Sequence, residues 1–193
     1  MNLIGISGTN GSGKDTLGET LAKKYNFLFV SVTDMLREEL RRRDLPLSRQ
    51  YTRELSAEWR RENGLGVLVD KALAIYNKQA DKYKGLAIAS LRNPGEADRI
   101  HELGGKVIWL DALPKIRFER IQTNRSSRGA HRADDDNLTF IQFIAAEEAE
   151  MHRTGDETTL NMSEVRKRSD VFIENDSTVI EPFLDKIKKS LFS

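Results

Sequence analysis

Residues 8–16 read Gly8-Thr9-Asn10-Gly11-Ser12-Gly13-Lys14-Asp15-Thr16 and follow without a break on the apolar run Leu3-Ile4-Gly5-Ile6-Ser7. Behind them Leu17, Leu21 and Tyr25 recur at the spacing of one helix face. A buried strand, a glycine loop and a helix therefore succeed one another. Glycines in such a loop let successive backbone N–H groups turn inward as an anion nest, and the helix N-terminus adds partial positive charge. Lys14 stands where it reaches the β and γ phosphates of a nucleoside triphosphate.

The loop predicts ATP ligands at Gly8, Asn10, Gly11, Ser12, Gly13, Lys14, Asp15 and Thr16. It departs from the simplest pattern at one place. The hydroxyl residue that normally follows the lysine is Asp15, with Thr16 one position later. Mg²⁺ prefers carboxylate oxygen and keeps much of its water, so Asp15 and Thr16 are the expected metal-facing pair, acting through water, with Thr16 also placed for the α phosphate. The bland alternative is a solvent-facing carboxylate at a helix start.

Working outward, Phe27 to Val32, Leu86 to Ser90, Val107 to Leu110 and Val171 to Ile173 read as further buried strands, separated by amphipathic stretches such as Tyr51-Leu55-Trp59. Strands alternating with helices imply a parallel sheet covered on both faces, with ligands beyond the carboxyl ends of the strands. The expected class is a three-layer α/β/α fold with five parallel strands in one domain over 1–193. Two stretches interrupt the rhythm: a helical insertion over about 33–80 and a polar, charge-dense segment over about 123–137, both placed like flaps over a site.

Thirty-one Lys and Arg against 30 Asp and Glu give a net charge of +1, so no global field points to duplex DNA or an anionic membrane. There is no cysteine, and His101, His131 and His152 are too scattered for a metal cluster. No apolar run approaches the ~20 residues of a membrane span. A soluble, cytoplasmic protein acting on small molecules is the expectation, with oligomeric state open.

Asn77-Lys78-Gln79-Ala80 fails the base-reading pattern of a switch GTPase at its fourth place, and no acidic pair ends the third strand as in an oligomeric ATPase motor. The glycine loop, Thr33-Asp34-Met35-Leu36-Arg37, Arg92 and Arg117-Phe118-Glu119-Arg120 together resemble the nucleoside monophosphate kinases, adenylate kinase among them, along nearly the whole chain. The likeness is strongest to adenylate-kinase-related nucleotide kinases. The chain is also similar to dephospho-coenzyme A kinase and, in its Gly-Lys-Asp-Thr form, to phage deoxynucleoside monophosphate kinases. The resemblance implies a P-loop kinase fold with an acceptor-binding insertion after strand two and an arginine-bearing lid after strand four. It implies ATP as donor, Mg²⁺, and γ-phosphoryl transfer to a nucleoside monophosphate or similar small acceptor.

It further implies that Arg37 and Arg92 hold the acceptor phosphate, a task suited to the planar, always-charged guanidinium fork. Asp34 has two competing roles, ordering magnesium-bound water or taking a proton from a hydroxyl acceptor, and a bland one as helix cap. Related kinases carry an Asp three places before the second arginine, where this chain has Ala89, and Asp15 is the candidate to compensate. Arg120 matches the arginine that stacks on the donor base, and Asp176 lies in a loop resembling the one that cradles it. Lys115, Arg117, Arg120, Arg125, Arg128 and Arg132 make a local cationic patch without interleaved aromatics, which argues against an RNA-binding stripe. Arg128 and Arg132 are the positional candidates for stabilising the transition state. The expected catalytic set is thus Lys14, Asp34, Arg120, Arg128 and Arg132. Two alternatives stay open: a kinase of the dephospho-coenzyme A type phosphorylating a ribose hydroxyl, and a nucleotide-binding regulator without turnover.

Overall fold

The computed structural model describes residues 2–124, 137–152, 154–177 and 179–191. Strand β1, Asn2–Gly8, is the centre of the sheet, and the loop at its end feeds helix α1, Lys14–Tyr25. The chain continues through β2, Phe27–Ser31, and three helices, α2 (Val32–Arg42), α3 (Arg49–Asn63) and α4 (Val67–Asn77). Then follow β3 (Gly85–Ala89), α5 (Pro94–Glu102), β4 (Lys106–Asp111) and α6 (Pro114–Thr123). The last elements are α7 (Phe140–Met151), α8 (Met162–Lys167), β5 (Val171–Glu174) and α9 (Glu181–Leu191).

All strand pairs are parallel and the order is β2-β3-β1-β4-β5, as expected of a three-layer α/β/α fold. Alternation within each strand serves both faces. Leu86, Ile88, Val107 and Trp109 face the cluster built with α2 to α5 and α8, while Ala87, Ala89, Ile108 and Leu110 face α1 and α9. The insertion predicted at about 33–80 is the α2–α4 helical group.

Two strands, β2 and β3, stop one residue short of the sequence expectation, and both ends bear on the site. Val32 opens α2 rather than closing β2, because the Ser31 hydroxyl accepts from the Asp34 N–H and caps the helix one residue earlier. Ser90 does not extend β3. It adopts φ 71°, and the N–H groups of both Ser90 and Leu91 turn back to the Ile6 carbonyl, so the chain leaves the sheet beside the end of β1. A serine in the left-handed region is strained, and such strain is tolerated where surrounding structure imposes it.

Candidate active site

The carboxyl ends of β1, β3 and β4 lie side by side, with Gly8 opposite Leu110 and Ile6 opposite Ala89. Gly8 has φ 137°, and a Cβ there would fall 2.0 Å from the Leu110 carbonyl oxygen. No other residue fits. Gly13, with φ 104°, is the residue from which α1 departs, so the loop wraps the N-terminus of that helix.

Inside the loop the Lys14 Nζ donates to the carbonyls of Gly8 at 2.9 Å and Thr9 at 2.6 Å. Burial, reinforced by the charge of Arg92, lowers its ammonium to about 8. The Ser12 hydroxyl donates to the Thr9 carbonyl, closing the turn from within. The loop is also held from outside. Asn175 donates its side-chain N–H to the Ser12 carbonyl, and the Thr9 hydroxyl donates to Asp111 at the end of β4. Arg117, almost wholly buried, donates to the carbonyls of Ala112 and Asn10 and pairs with Glu147 of α7.

A cleft of about 430 Å³ opens over this loop. Asn10, Gly11, Gly13, Lys14, Asp15 and Thr16 of the loop and α1 line it together with Arg37, Ser90, Arg92 and Arg120. Lys14, Asp15 and Thr16 thus share one space with Arg37, Arg92 and Arg120, whereas Gly8, Ser12, Asp34 and Asp176 are not among its lining. The donor set offered to a metal is a carboxylate and a hydroxyl beside a phosphate-binding loop, which suits a Mg²⁺ that takes its remaining ligands from phosphate oxygens and water. Among the described residues there is no group of three or more His, Cys, Asp or Glu that would bind a metal without a substrate.

Arg120 donates through Nη2 to the carbonyls of Asn175 and Ser177, so it fixes the loop after β5. Its Nη1 is buried without a hydrogen-bond partner among the described residues. Burial lowers its pKa, while Asp176 opposes that shift. Asp176 itself accepts from the Leu113 N–H at 2.7 Å and is not part of this cleft's lining. It braces the turn between β4 and α6, and Ser177 accepts from the Val179 N–H in the ordinary manner of a turn.

On the acceptor side Arg37 is buried, at 8% exposure, and donates to Asp34 at 3.1 Å. It is not a solvated first-turn residue. The Asp34 side chain is 68% exposed and does not line the cleft; the helix cap beside it is Ser31. Arg92 extends from the loop after β3 and pairs with Glu150 of α7. Arg128 and Arg132 lie outside the described residues, as does most of the segment predicted as the lid.

Several residues of the site have no counterpart in the sequence reading. Arg49 and Arg53 of α3 join Arg37 and Arg92 around a smaller cavity continuous in lining with the cleft. Glu150 is shared by Arg92, Arg53 and Arg49. Beneath them Arg60 and Glu96, both nearly inaccessible, form a bond at 2.6 Å; Glu96 also accepts from the backbone N–H groups of Arg92 and Asn93, and Arg60 donates to the Thr158 carbonyl. This buried pair fixes the loop that presents Arg92. A signal was present in the sequence: Glu147 and Glu150 stand one helical turn apart after the predicted lid, as do Arg49 and Arg53.

The fold is that of P-loop kinases. A shikimate kinase from Bacteroides thetaiotaomicron has a TM-score of 0.59 at 15% identity, covering 98% of this chain and 96% of its own. A shikimate kinase from Acinetobacter baumannii, in complex with shikimate, has a TM-score of 0.54 at 14% identity, covering 99% and 93%. At such identities the likeness is one of fold alone. In sequence, a UPF0200 protein of Methanococcus maripaludis is 29% identical over 153 residues, 79% of each chain. A UPF0200 protein of Pyrococcus abyssi is 25% identical over 180 residues, 91% of this chain and 88% of its own. No helix among the described residues is long and apolar enough to cross a membrane. The family described as AAA domain matches residues 4–151, more than half of the 193-residue chain, and the chain belongs to that family.

Proposed function

We propose that this protein is a Mg²⁺-dependent phosphotransferase that moves the γ-phosphoryl group of ATP to a nucleoside monophosphate or a comparable small, phosphate-bearing acceptor. The observation that carries this reading is one cleft lined by Lys14, Asp15 and Thr16 together with Arg37 and Arg92. A triphosphate cradled by the loop would direct its terminal phosphoryl group towards whatever the two arginines hold.

Each residue has a defined task. Lys14 exchanges its two carbonyl contacts for the β and γ phosphates, and Arg37 and Arg92 fix the acceptor phosphate bidentately. Holding both partners in one orientation lowers the barrier by removing translational and rotational freedom. Arg120, whose Nη1 has no hydrogen-bond partner among the described residues, would offer that donor to the bound nucleotide. Asp15 and Thr16 would hold Mg²⁺, directly or through water, and the ion when bound would neutralise charge on the phosphate oxygens. Arg128 and Arg132 are the proposed lid arginines that meet the charge spread over the transferred group.

Asp34 bears on the choice of acceptor. A ribose hydroxyl needs a base at the reacting oxygen, whereas a phosphate oxygen needs none. Asp34 is exposed and engaged with Arg37, which supports a role in positioning that arginine and favours the phosphate acceptor.

The test is a coupled ADP-release screen with nucleoside monophosphates, deoxynucleoside monophosphates and dephospho-coenzyme A, with Lys14→Ala as control. ADP release that needs a phosphate-bearing acceptor and disappears in Lys14→Ala is expected. Tight ATP binding with no acceptor-dependent release across the panel would make the protein a nucleotide-binding regulator instead.

A further inference from the structure

Glu150 is an unusual carboxylate. It sits near the end of α7 at 10% side-chain exposure, and three arginines from two other parts of the chain converge on it. Arg53 donates to Oε1 at 2.6 Å, Arg49 lies 3.5 Å from the same oxygen, and Arg92 donates to Oε2. Burial alone would raise its pKa, but Arg92, Arg49 and Arg53 outweigh that and hold it at about 2. The carboxylate is therefore ionised at any physiological pH.

The same three arginines line the cavity between α2, α3 and the end of β3, and Arg92 also lines the cleft over Lys14. The Arg53 side chain is 42% exposed and lines that cavity. A carboxylate has two oxygens and one charge. A phosphate monoester offers three terminal oxygens and up to two charges, a better match to three guanidinium forks.

We propose that Arg49, Arg53 and Arg92 form a binding site for a phosphate monoester dianion, in which the Glu150 carboxylate is the internal counter-ion that the incoming group displaces. The inference rests on the kinase reading for the identity of the ligand, the acceptor's phosphate, and extends it by making Glu150 a competitor for that group. Without acceptor, Glu150 keeps three like charges together that would otherwise repel. With acceptor, at least Arg92 and Arg53 transfer their donors to the phosphate, in the cavity that Arg37 also lines. Glu150 thereby sets the acceptor affinity and discriminates against weakly charged competitors, which cannot offset the pairs that must break.

The opposite effects of a competitor and a structural strut make the proposal testable. Inorganic phosphate is titrated calorimetrically into Lys14→Ala protein, which weakens the competing site in the glycine loop, with and without a second substitution. Glu150→Gln is expected to bind phosphate about tenfold more tightly, the step of one charge-assisted hydrogen bond, and Arg53→Ala about tenfold more weakly. Equal or weaker binding in Glu150→Gln at an unchanged melting temperature overturns the proposal, as does unchanged binding in Arg53→Ala. If Glu150→Gln melts early, Glu150→Asp keeps the charge but withdraws the carboxylate by one methylene and should still bind phosphate more tightly; no tightening overturns the proposal. Because binding is read without turnover, the two readings separate. The predicted affinity order without acceptor-dependent ADP release would sink the kinase reading alone, whereas turnover with a phosphate affinity indifferent to Glu150 would sink this one alone.

Discussion

Lys14 and Arg92 line the same cleft, and the guanidinium adds to burial in lowering the Lys14 ammonium to about 8. A bound triphosphate favours the charged lysine and raises that pKa again. At pH values somewhat above 8, ATP binding should therefore take up a proton, and affinity should fall by up to about tenfold per pH unit. Calorimetry in buffers of different ionisation enthalpy measures the proton directly. The folded value also lies below the ordinary 10.5, so between 8 and 10.5 the unfolded chain holds more protons, and Lys14 contributes stability that rises with pH across that window.

Arg117 is predicted to govern donor affinity without reaching the donor phosphates. Its guanidinium ties the Asn10 carbonyl of the loop to Ala112 and to Glu147. Arg117→Ala should raise the ATP dissociation constant by at least about tenfold, the loss of one charge-assisted hydrogen bond's worth of positioning. Phosphate affinity at the arginine cavity should stay near that of the unaltered protein. An ATP affinity unchanged in a folded Arg117→Ala variant would remove the loop-bracing role.

Arg60 and Glu96 make the sharpest stability prediction. Both are buried, and Glu96 also accepts from the Arg92 and Asn93 N–H groups. Arg60→Ala strands that carboxylate and should cost ~3–5 kcal/mol in denaturant unfolding. Removing both partners with Arg60→Met and Glu96→Gln should cost less than Arg60→Ala alone.

Acid should unfold the protein partly through Glu150. Its folded pKa of about 2 lies below the ordinary 4.5, so its contribution is fully present well above 4.5 and is lost as pH falls through that range towards 2. Glu150→Gln should flatten the stability-against-pH curve in that window. A slope identical to that of the unaltered protein would show that Glu150 is not held by its arginines.

Asp15 is the proposed metal-facing carboxylate in a chain whose third strand ends at the fully buried Ala89. Asp15→Ala should weaken Mg²⁺ binding to the protein–ATP complex by about tenfold, the scale of losing one charged contact, with a smaller effect on ATP binding without metal. Unchanged magnesium affinity would mean that the ion's ligands lie elsewhere.

What could be read from the chain follows from how local each signal is. The glycine loop, the five apolar strands and the helix after Lys14 announce themselves within a few residues, because periodicity and glycine conformation are properties of neighbours. Arg37, Arg92 and Arg120 were reachable because each sits near the end of a recognisable strand or at the entrance to the lid. Glu150 was not, since it lies 58 residues from Arg92 and looks like any acidic residue on a helix until α7 folds against the site. Arg60 and Glu96, 36 residues apart, are equally silent, and both belong to classes that are seldom buried. The end of β3 was misread by one residue because Ser90 adopts a left-handed conformation that no local propensity for serine predicts. Asp34 stands where its position after β2 suggests chemistry, and its exposed side chain pairs with the buried Arg37.

The most direct test of the account follows the label from γ-labelled ATP, with Mg²⁺, into the product of whichever acceptor supports ADP release. The account predicts label in a phosphoanhydride, on the phosphate that the acceptor already carried, and none in Lys14→Ala. Label in a ribose phosphate monoester would contradict it and give the reaction to a hydroxyl acceptor; label recovered in inorganic phosphate alone, whatever acceptor is present, would contradict it as a phosphotransferase.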